Sequence, residues 1–278
     1  KGHSVKSALF SIPDCQAIVK KAVVRSLSEK YGILQFAETG VKYQIEFFIL
    51  NDEATLMIDT SGIALHKRGY RKEHNQAPIR ETLAAAIAKT SRPRENVLLW
   101  DPMCGSGTIA IEAAMIMKNI APGLSRNFAA EEFGFIPKRV WRDARDEARE
   151  GIVKTDFRAY ASDIDKNAVE LTKRNASKAG VADIITAFES DFRRISSKGM
   201  RGTIVTNPPY GERLGTQKEA ERLYKDMGVK FQSLAPWQVY VITSHPYFER
   251  LYGKRADKVR KLYNGMLPCY LYQYFKNN

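Results

Sequence analysis

The chain has 278 residues, enough for one large core or for a core domain plus a smaller one, since domains of about 100–200 residues are the usual unit. Its 44% apolar and 10% aromatic content is too hydrophobic for a disordered protein, while 27% charged residues break up every stretch of the ~20 apolar residues a membrane helix needs. Forty-four Lys and Arg against 31 Asp and Glu leave a net charge of +13, which bears on partners rather than fold and favours polyanions such as RNA or DNA.

From the amino end, residues 13–30 place Ile18, Val19, Ala22, Val23 and Leu27 at helical spacing, with Pro13 and Asp14 at the start. Two strand-like runs follow at 43–50 and 54–59, joined by Asn51-Asp52-Glu53 as a hairpin. Residues 1–62 thus predict a helix plus a hairpin, too little for a substantial core alone. Gly62 and the basic stretch 65–72 read as a connector, and 78–90 as an alanine-rich helix with proline in its first turn.

Beyond that point strands and helices alternate. Strands are expected at 97–101, 159–163, 184–189, 203–207 and 237–243, and helices at 108–118, 166–179, 219–234 and 247–252. This order predicts an α/β fold, a parallel sheet built from crossover units and covered on both faces. The end differs: runs at 259–263 and 266–275 flank Asn264-Gly265, a strong hairpin-turn signal, so the sheet should finish in an antiparallel hairpin. Residues 121–151 read as an insertion with some helix.

Cys15, Cys104 and Cys269 are far apart and odd in number, arguing against disulfides and a zinc site, and none of the four histidines has metal-ligand spacing. Residues 1–12 show no signal-peptide pattern, so the expected location is the cytoplasm. The chain begins with Lys, as a fragment would. Basic residues thicken at Lys67, Arg68, Arg71 and Lys72, at Arg193, Arg194, Lys198 and Arg201, and at Arg250, Lys254, Arg255, Lys258, Arg260 and Lys261. Only folding could bring them to one face.

Three motifs carry chemistry. In Asp101-Pro-Met-Cys-Gly105-Ser-Gly107-Thr108, a strand passes through a glycine-rich turn into a helix whose first N–H groups are unpaired. Ligands bind at that end of a parallel sheet. A phosphate loop would need Lys where Thr108 stands, whereas the glycines nominally satisfy a dinucleotide fingerprint, so dinucleotide, other adenosyl ligand and plain turn all stay open. Cys104 has no His or acid beside it and reads as packing.

Next, Asp163 closes the second strand where a carboxylate can accept from ribose hydroxyls, while Asp165 suits capping of the next helix. Asp191 and Phe192, past the third strand, could pair with and stack against an adenine, or be ordinary loop residues. Finally, Asn207-Pro208-Pro209-Tyr210-Gly211 ends the fourth strand. Two prolines lack N–H groups and fix the backbone, so the Asn207 side-chain oxygen and the Pro208 carbonyl can both accept from one –NH2, with Tyr210 as a stacking face. Alone, Pro-Pro is a turn; after the other two motifs it reads as a site for an exocyclic amine.

With these residues the chain resembles the S-adenosylmethionine-dependent methyltransferases of the amino-group type. It most resembles the bacterial THUMP-domain 23S rRNA guanine-N2 methyltransferases, often labelled N6-adenine-specific DNA methylases. The resemblance also rests on Asp59-Thr-Ser-Gly-Ile-Ala-Leu-His-Lys-Arg-Gly-Tyr70-Arg, Ala77-Pro-Ile-Arg-Glu-Thr-Leu-Ala-Ala, Arg126-Asn-Phe-Ala-Ala-Glu131 and Arg260-Lys-Leu-Tyr-Asn-Gly265. It implies a Rossmann-like class I methyltransferase sheet at 78–278, a linker at 63–77, and at 1–62 the latter part of an α+β THUMP RNA-binding domain.

It further implies S-adenosyl-L-methionine as cofactor and RNA, ribosomal RNA above all, as partner, with no metal and no membrane. Pro78 to Thr82 would lie by the methionine end of the cofactor, with Asp101, Pro102, Cys104, Gly105, Ser106, Gly107 and Thr108 along it. Asp163 and Ile164 would hold ribose, Asp191 and Phe192 adenine, and Asn207, Pro208, Pro209 and Tyr210 the target base, Asn207 also meeting the cofactor. The rivals are methylation of DNA adenine N6 or of a protein glutamine, an NAD-dependent oxidoreductase, and an RNA-binding module with a vestigial catalytic domain.

Overall fold

The computed structural model describes residues 1–37, 39–71, 79–209 and 217–275. In chain order they form β1 (Gly2–Val5), α1 (Ile12–Tyr31), β2 (Ile45–Leu50), β3 (Glu53–Ile58), α2 (Glu81–Ser91), β4 (Leu98–Asp101) and α3 (Thr108–Met117). Then come α4 (Lys138–Glu150), β5 (Ala159–Asp163), α5 (Lys166–Lys178), β6 (Ile185–Glu189), β7 (Gly202–Thr206), α6 (Gln217–Gln232), β8 (Gln238–Thr243), α7 (Phe248–Tyr252), β9 (Lys258–Asn264) and β10 (Leu267–Tyr274). The chain divides into two compact units, Lys1–Ala64 with Asn127–Ala144, and Leu65–Arg126 with Arg145–Asn278.

In the first unit the expected helix and hairpin are present. The hairpin turns on two residues, Asn51 and Asp52, both at positive φ, a conformation these side chains tolerate. Strand β1, which the sequence reading did not anticipate, lies parallel to β2 with Gly2 opposite Phe47. One face of α1 buries Cys15 against Phe47 and Ile49. Part of the expected insertion belongs here: Ala130 donates its N–H to the Thr60 carbonyl (3.1 Å), and Tyr43 stacks on Phe133 at 4.5 Å.

The second unit is a seven-stranded sheet in the order β6-β5-β4-β7-β8-β10-β9. The first five run parallel, and β10 is antiparallel to both β8 and β9. This is the α/β fold ending in a hairpin that the alternation predicts. Apolar residues of α2, α3 and α5 bury one face, among them Ile87, Ile109, Ile111 and Ala176. Helices α6 and α7 bury the other through Tyr224, Met227, Phe231, Phe248 and Tyr252. Helix α3 is buried from Thr108 to Met115, which is why it reads as continuously apolar rather than amphipathic.

The first strand of the series, β4, sits between β5 and β7. The chain winds outward from it in both directions, so the loops after β4 and β7 diverge and leave a crevice at their carboxyl ends. No helix among the described residues is long and apolar enough to cross a membrane.

Candidate active site

A cavity of about 440 Å³ opens at that switch point. It is lined by the loops after β4, β5, β6 and β7, so four strand ends meet around it. Asp101 is buried at its floor, where Oδ1 accepts from the Thr206 hydroxyl (2.9 Å) and weakly from the Met103 N–H (3.4 Å). Burial raises its carboxyl to about 7, against the pull of those two bonds, and the nearby Asp163 charge adds a little.

The glycine turn is pinned from behind. Gly105 and Gly107 have φ of +54° and +77°, the left-handed region that glycine enters without strain. A Cβ on Gly107 would meet the Thr172 methyl at 2.6 Å, so α5 can close on the turn only because that position is bare. Helix α5 also holds the backbone: the Thr172 hydroxyl donates to the Gly105 carbonyl and the Asn175 amide to the Ser106 carbonyl, both at 3.0 Å. Arg71 steadies the helix start, donating to Thr108 Oγ1 and the Ile79 carbonyl (both 2.9 Å) and pairing with Glu81 at 2.9 Å. Cys104 is buried against Thr172 at 3.6 Å, and desolvation pushes its thiol well up, as expected of a packing residue.

Asp163 ends β5 in the cavity wall. Its Oδ2 accepts from Gly105 N–H (2.9 Å) and its Oδ1 from Asp165 N–H (3.1 Å). A carboxylate offers about four lone-pair directions, so each oxygen retains one for a hydroxyl. Asp165 does cap α5, accepting from Asn167 N–H at 2.8 Å. Asp191 accepts from Arg193 N–H (2.9 Å) and pairs with its guanidinium, which also grips Asp226 of α6 at 2.7 Å. Phe192 lies buried beneath that guanidinium, 4.7 Å from it, and edge-on to Phe231.

At the end of β7, Asn207 and Pro209 line the cavity. Asn207 Oδ1 is buried and has no hydrogen-bond partner among the described residues. An acceptor left bare in this way is costly unless something arrives to use it. The Pro209 carbonyl is held by the Tyr224 hydroxyl at 3.4 Å, which is itself shared with Thr243 at 3.0 Å.

Of the residues singled out from sequence, Asp101, Pro102, Cys104, Gly105, Ser106, Thr108, Asp163, Ile164, Asp191, Phe192, Asn207 and Pro209 share this one cavity. Gly107 faces α5 instead, Pro208 is buried outside the lining, and Thr82 is exposed on α2; Ile79 lines the cavity in its neighbourhood. Pro78 and Tyr210 lie outside the described residues. Sequence reasoning missed Met103, Ile109, Arg193 and Leu223 in the lining, and the supports Thr172, Asn175, Thr206 and Tyr224. Met103 stands inside the glycine-turn motif, but its place in the lining, like the roles of the others, is set only in three dimensions.

Residues 68–273 match the family described as UPF0020, RMKL-like, methyltransferase domain. The chain belongs to this family. It is 46% identical over 277 residues to the "Putative RNA methyltransferase YpsC" of Bacillus subtilis (strain 168), covering 99% of this chain and 72% of that protein. It is 37% identical over 240 residues to the Ribosomal RNA large subunit methyltransferase K/L of Shewanella sp. (strain W3-18-1), covering 84% of this chain and 34% of that protein. The chain thus spans about a third of that K/L relative.

The crystal structure of SMU.472 complexed with SAH superposes with a TM-score of 0.88 at 40% identity, covering 99% of this chain and 73% of that one. Membership in a methyltransferase family removes the NAD-dependent oxidoreductase that the glycine fingerprint left open. The cavity suits an adenosyl ligand on its own terms: a strand-end carboxylate with acceptor capacity, a glycine turn and an acceptor unused among the described residues share one enclosure of suitable size.

Proposed function

We propose that this protein transfers a methyl group from S-adenosyl-L-methionine to an exocyclic amine of an RNA base, guanine N2 of 23S ribosomal RNA being the target in view. The observation that carries the reading is the buried Asn207 Oδ1, without a hydrogen-bond partner among the described residues, in the same cavity as Asp101 and Asp163. The rRNA target is supported by the K/L relative and by the +13 charge. In this reading the protein works in the cytoplasm, on ribosomal RNA. Residues 1–62 serve in this reading as the latter part of a THUMP-like RNA-binding domain, residues 63–77 as linker and residues 78–278 as the catalytic domain.

The bound cofactor supplies a methyl carbon made electrophilic by the adjacent sulfonium. The protein's part is to bind, orient and exclude water. Asp163 receives the ribose hydroxyls through the lone pairs that the Gly105 and Asp165 N–H groups leave open. Asn207 Oδ1 accepts an N–H of the target amine, as does the Pro208 carbonyl, drawing the nitrogen lone pair out of the ring and stabilising the positive charge that grows on nitrogen. A neutral amide takes no proton, so the extra proton leaves to water after transfer. Proline at 208 and 209 ensures that no backbone N–H there competes for the lone pair. The base must leave its stack to enter, and alignment does most of the catalytic work.

The test is to incubate undermodified ribosomal RNA, duplex DNA and a protein pool separately with methyl-labelled cofactor and identify the product by mass spectrometry. Label in N2-methylguanosine is expected. Label in N6-methyladenine of DNA or in glutamine, with RNA unlabelled, overturns the reading.

A further inference from the structure

The amino ends of the same parallel strands border a second and larger cavity, about 800 Å³. Its walls are Gly202 and Thr203 of β7, Trp237 and Gln238 at the start of β8, Gln273 of β10, Lys258 and Arg260 of β9, and the last turn of α2. Among the described residues six cations line it, Lys89, Arg92, Arg94, Arg201, Lys258 and Arg260, and no Asp or Glu does. None of the six has a carboxylate partner among the described residues. They come from three separate stretches of the chain, so folding has gathered them.

A second observation is independent of charge. Gln273 is 2% exposed, lines this cavity, and its side-chain Nε2 has no hydrogen-bond partner among the described residues. The sheet register sets Gln273 opposite Lys258 on one side and Tyr240 on the other. Opposed residues share a face, so amide, ammonium and ring form one row. Beside them Phe275 (37% exposed) meets Tyr240 edge-on at 6.3 Å, and Met200 is 41% exposed. Cationic walls with an accessible ring and an unmet amide donor are the elements that bind single-stranded nucleic acid.

We infer that this cavity seats a single-stranded stretch of the RNA substrate away from the reacting base, a reading that rests on RNA being the substrate. Phosphates lie against the six cations, a base lies by Phe275, and the Gln273 amide donates to an oxygen or ring nitrogen of that base. A free nucleotide fits less well. Compact phosphate sites use helix amino ends and their N–H groups, whereas here α2 presents its carboxyl end and all the positive charge sits on separated side chains. Strand β7 runs five residues between the two cavities, about 16 Å at 3.3 Å per residue, so the grip is remote from the chemistry.

The experiment compares the parent with the double variant Arg201→Gln/Lys258→Gln, both exposed positions, using fluorescence anisotropy on a labelled single-stranded rRNA fragment over a salt series. Losing two phosphate contacts should weaken binding about tenfold near physiological salt and flatten the log–log salt slope by roughly 1.4. Cofactor affinity by calorimetry should not move. Gln273→Met should keep the thermal midpoint while lowering RNA affinity, which a purely structural glutamine would not do.

Unchanged RNA affinity and slope in the double variant overturn the inference, as does saturable 5′-GMP binding that the variant loses while RNA binding stays intact. The two readings fail separately. A parent that labels RNA while the double variant binds it normally sinks only this site. Weakened RNA binding by the variant, with no RNA label from the parent, sinks only the proposed reaction. A parent that binds no RNA removes both.

Discussion

At the carboxyl ends of the parallel strands, the cavity carries Asp101, Asp163, Asp165 and Asp191 against a single cation, Arg193, among the described residues. At the amino ends of the same sheet, the cavity carries six cations and no acid among the described residues. The carboxyl-end site is assembled from short loops whose residues are neighbours in sequence, each strand delivering its own motif. The amino-end site is assembled from side chains as far apart as Lys89 and Lys258, brought together by strand order. The two also divide the electrostatic labour: acids suit a cofactor bearing a sulfonium and an ammonium, and cations suit a phosphate backbone.

That contrast can be broken first at Asn207. Asn207→Ala should cut turnover about a thousandfold, the scale of losing one preorganised group at a developing charge, with cofactor affinity and RNA salt slope unchanged. Single-turnover methylation read alongside calorimetry checks it; near-parental turnover would take Asn207 out of the chemistry.

The Asp101 carboxyl comes next. Its folded value of about 7 lies above the unfolded 3.8, so the native state holds the extra proton between those values. The stability this contributes is complete below about pH 4 and is lost as pH rises to 7, at about 1.4 kcal/mol per unit and a few kcal/mol across the window. Urea unfolding of Asp101→Asn should lack that slope, and parallel pH profiles for the two proteins would refute the assignment.

A smaller effect is expected at Asp163. Asp163→Ala should weaken cofactor binding by about ten- to a hundredfold while leaving RNA affinity alone, since each hydrogen bond to a charged group contributes about 1.5–3 kcal/mol and water replaces part of it. Asp163→Asn, which keeps the shape of the turn, should fall between. Equal cofactor affinity in all three proteins would exclude the residue.

Smallest of all, Tyr224→Phe removes the hydroxyl that holds the Pro209 carbonyl and costs about 1 kcal/mol of stability. It should lower turnover a few-fold with both binding constants intact. A change in cofactor affinity instead would mean that Tyr224 supports the adenosyl side of the cavity.

Much of the carboxyl-end site was legible because its residues stand where local rules put them: glycines at a turn that needs positive φ, an aspartate closing a strand, two prolines after an asparagine. The misses have a common cause. Thr172 and Asn175 face the glycine turn because α5 packs there, and nothing in Leu-Thr-Lys-Arg-Asn announces it. The basic connector misled in the opposite way. Arg68 and Arg71 belong to a basic cluster read as a connector that folding could bring to a shared face, yet their side chains are 11% and 7% exposed, paired with Glu112 and Glu81. The short strand β1 carries too few apolar residues to signal itself and exists through its pairing with β2.

Periodicity, turn chemistry and the three strand-end motifs were sufficient for the α/β order, the terminal hairpin and the gathering of motif residues at the carboxyl ends of the strands, because each depends on residues within a few positions of one another. Only the tertiary structure decided which cations are buried in ion pairs and which converge. It alone left Asn207 and Gln273 with hydrogen-bonding groups unmet among the described residues and drew residues 127–144 into the first unit. Those outcomes depend on strand order and long-range packing, whose partners are separated by tens to hundreds of residues and leave no local pattern in the chain.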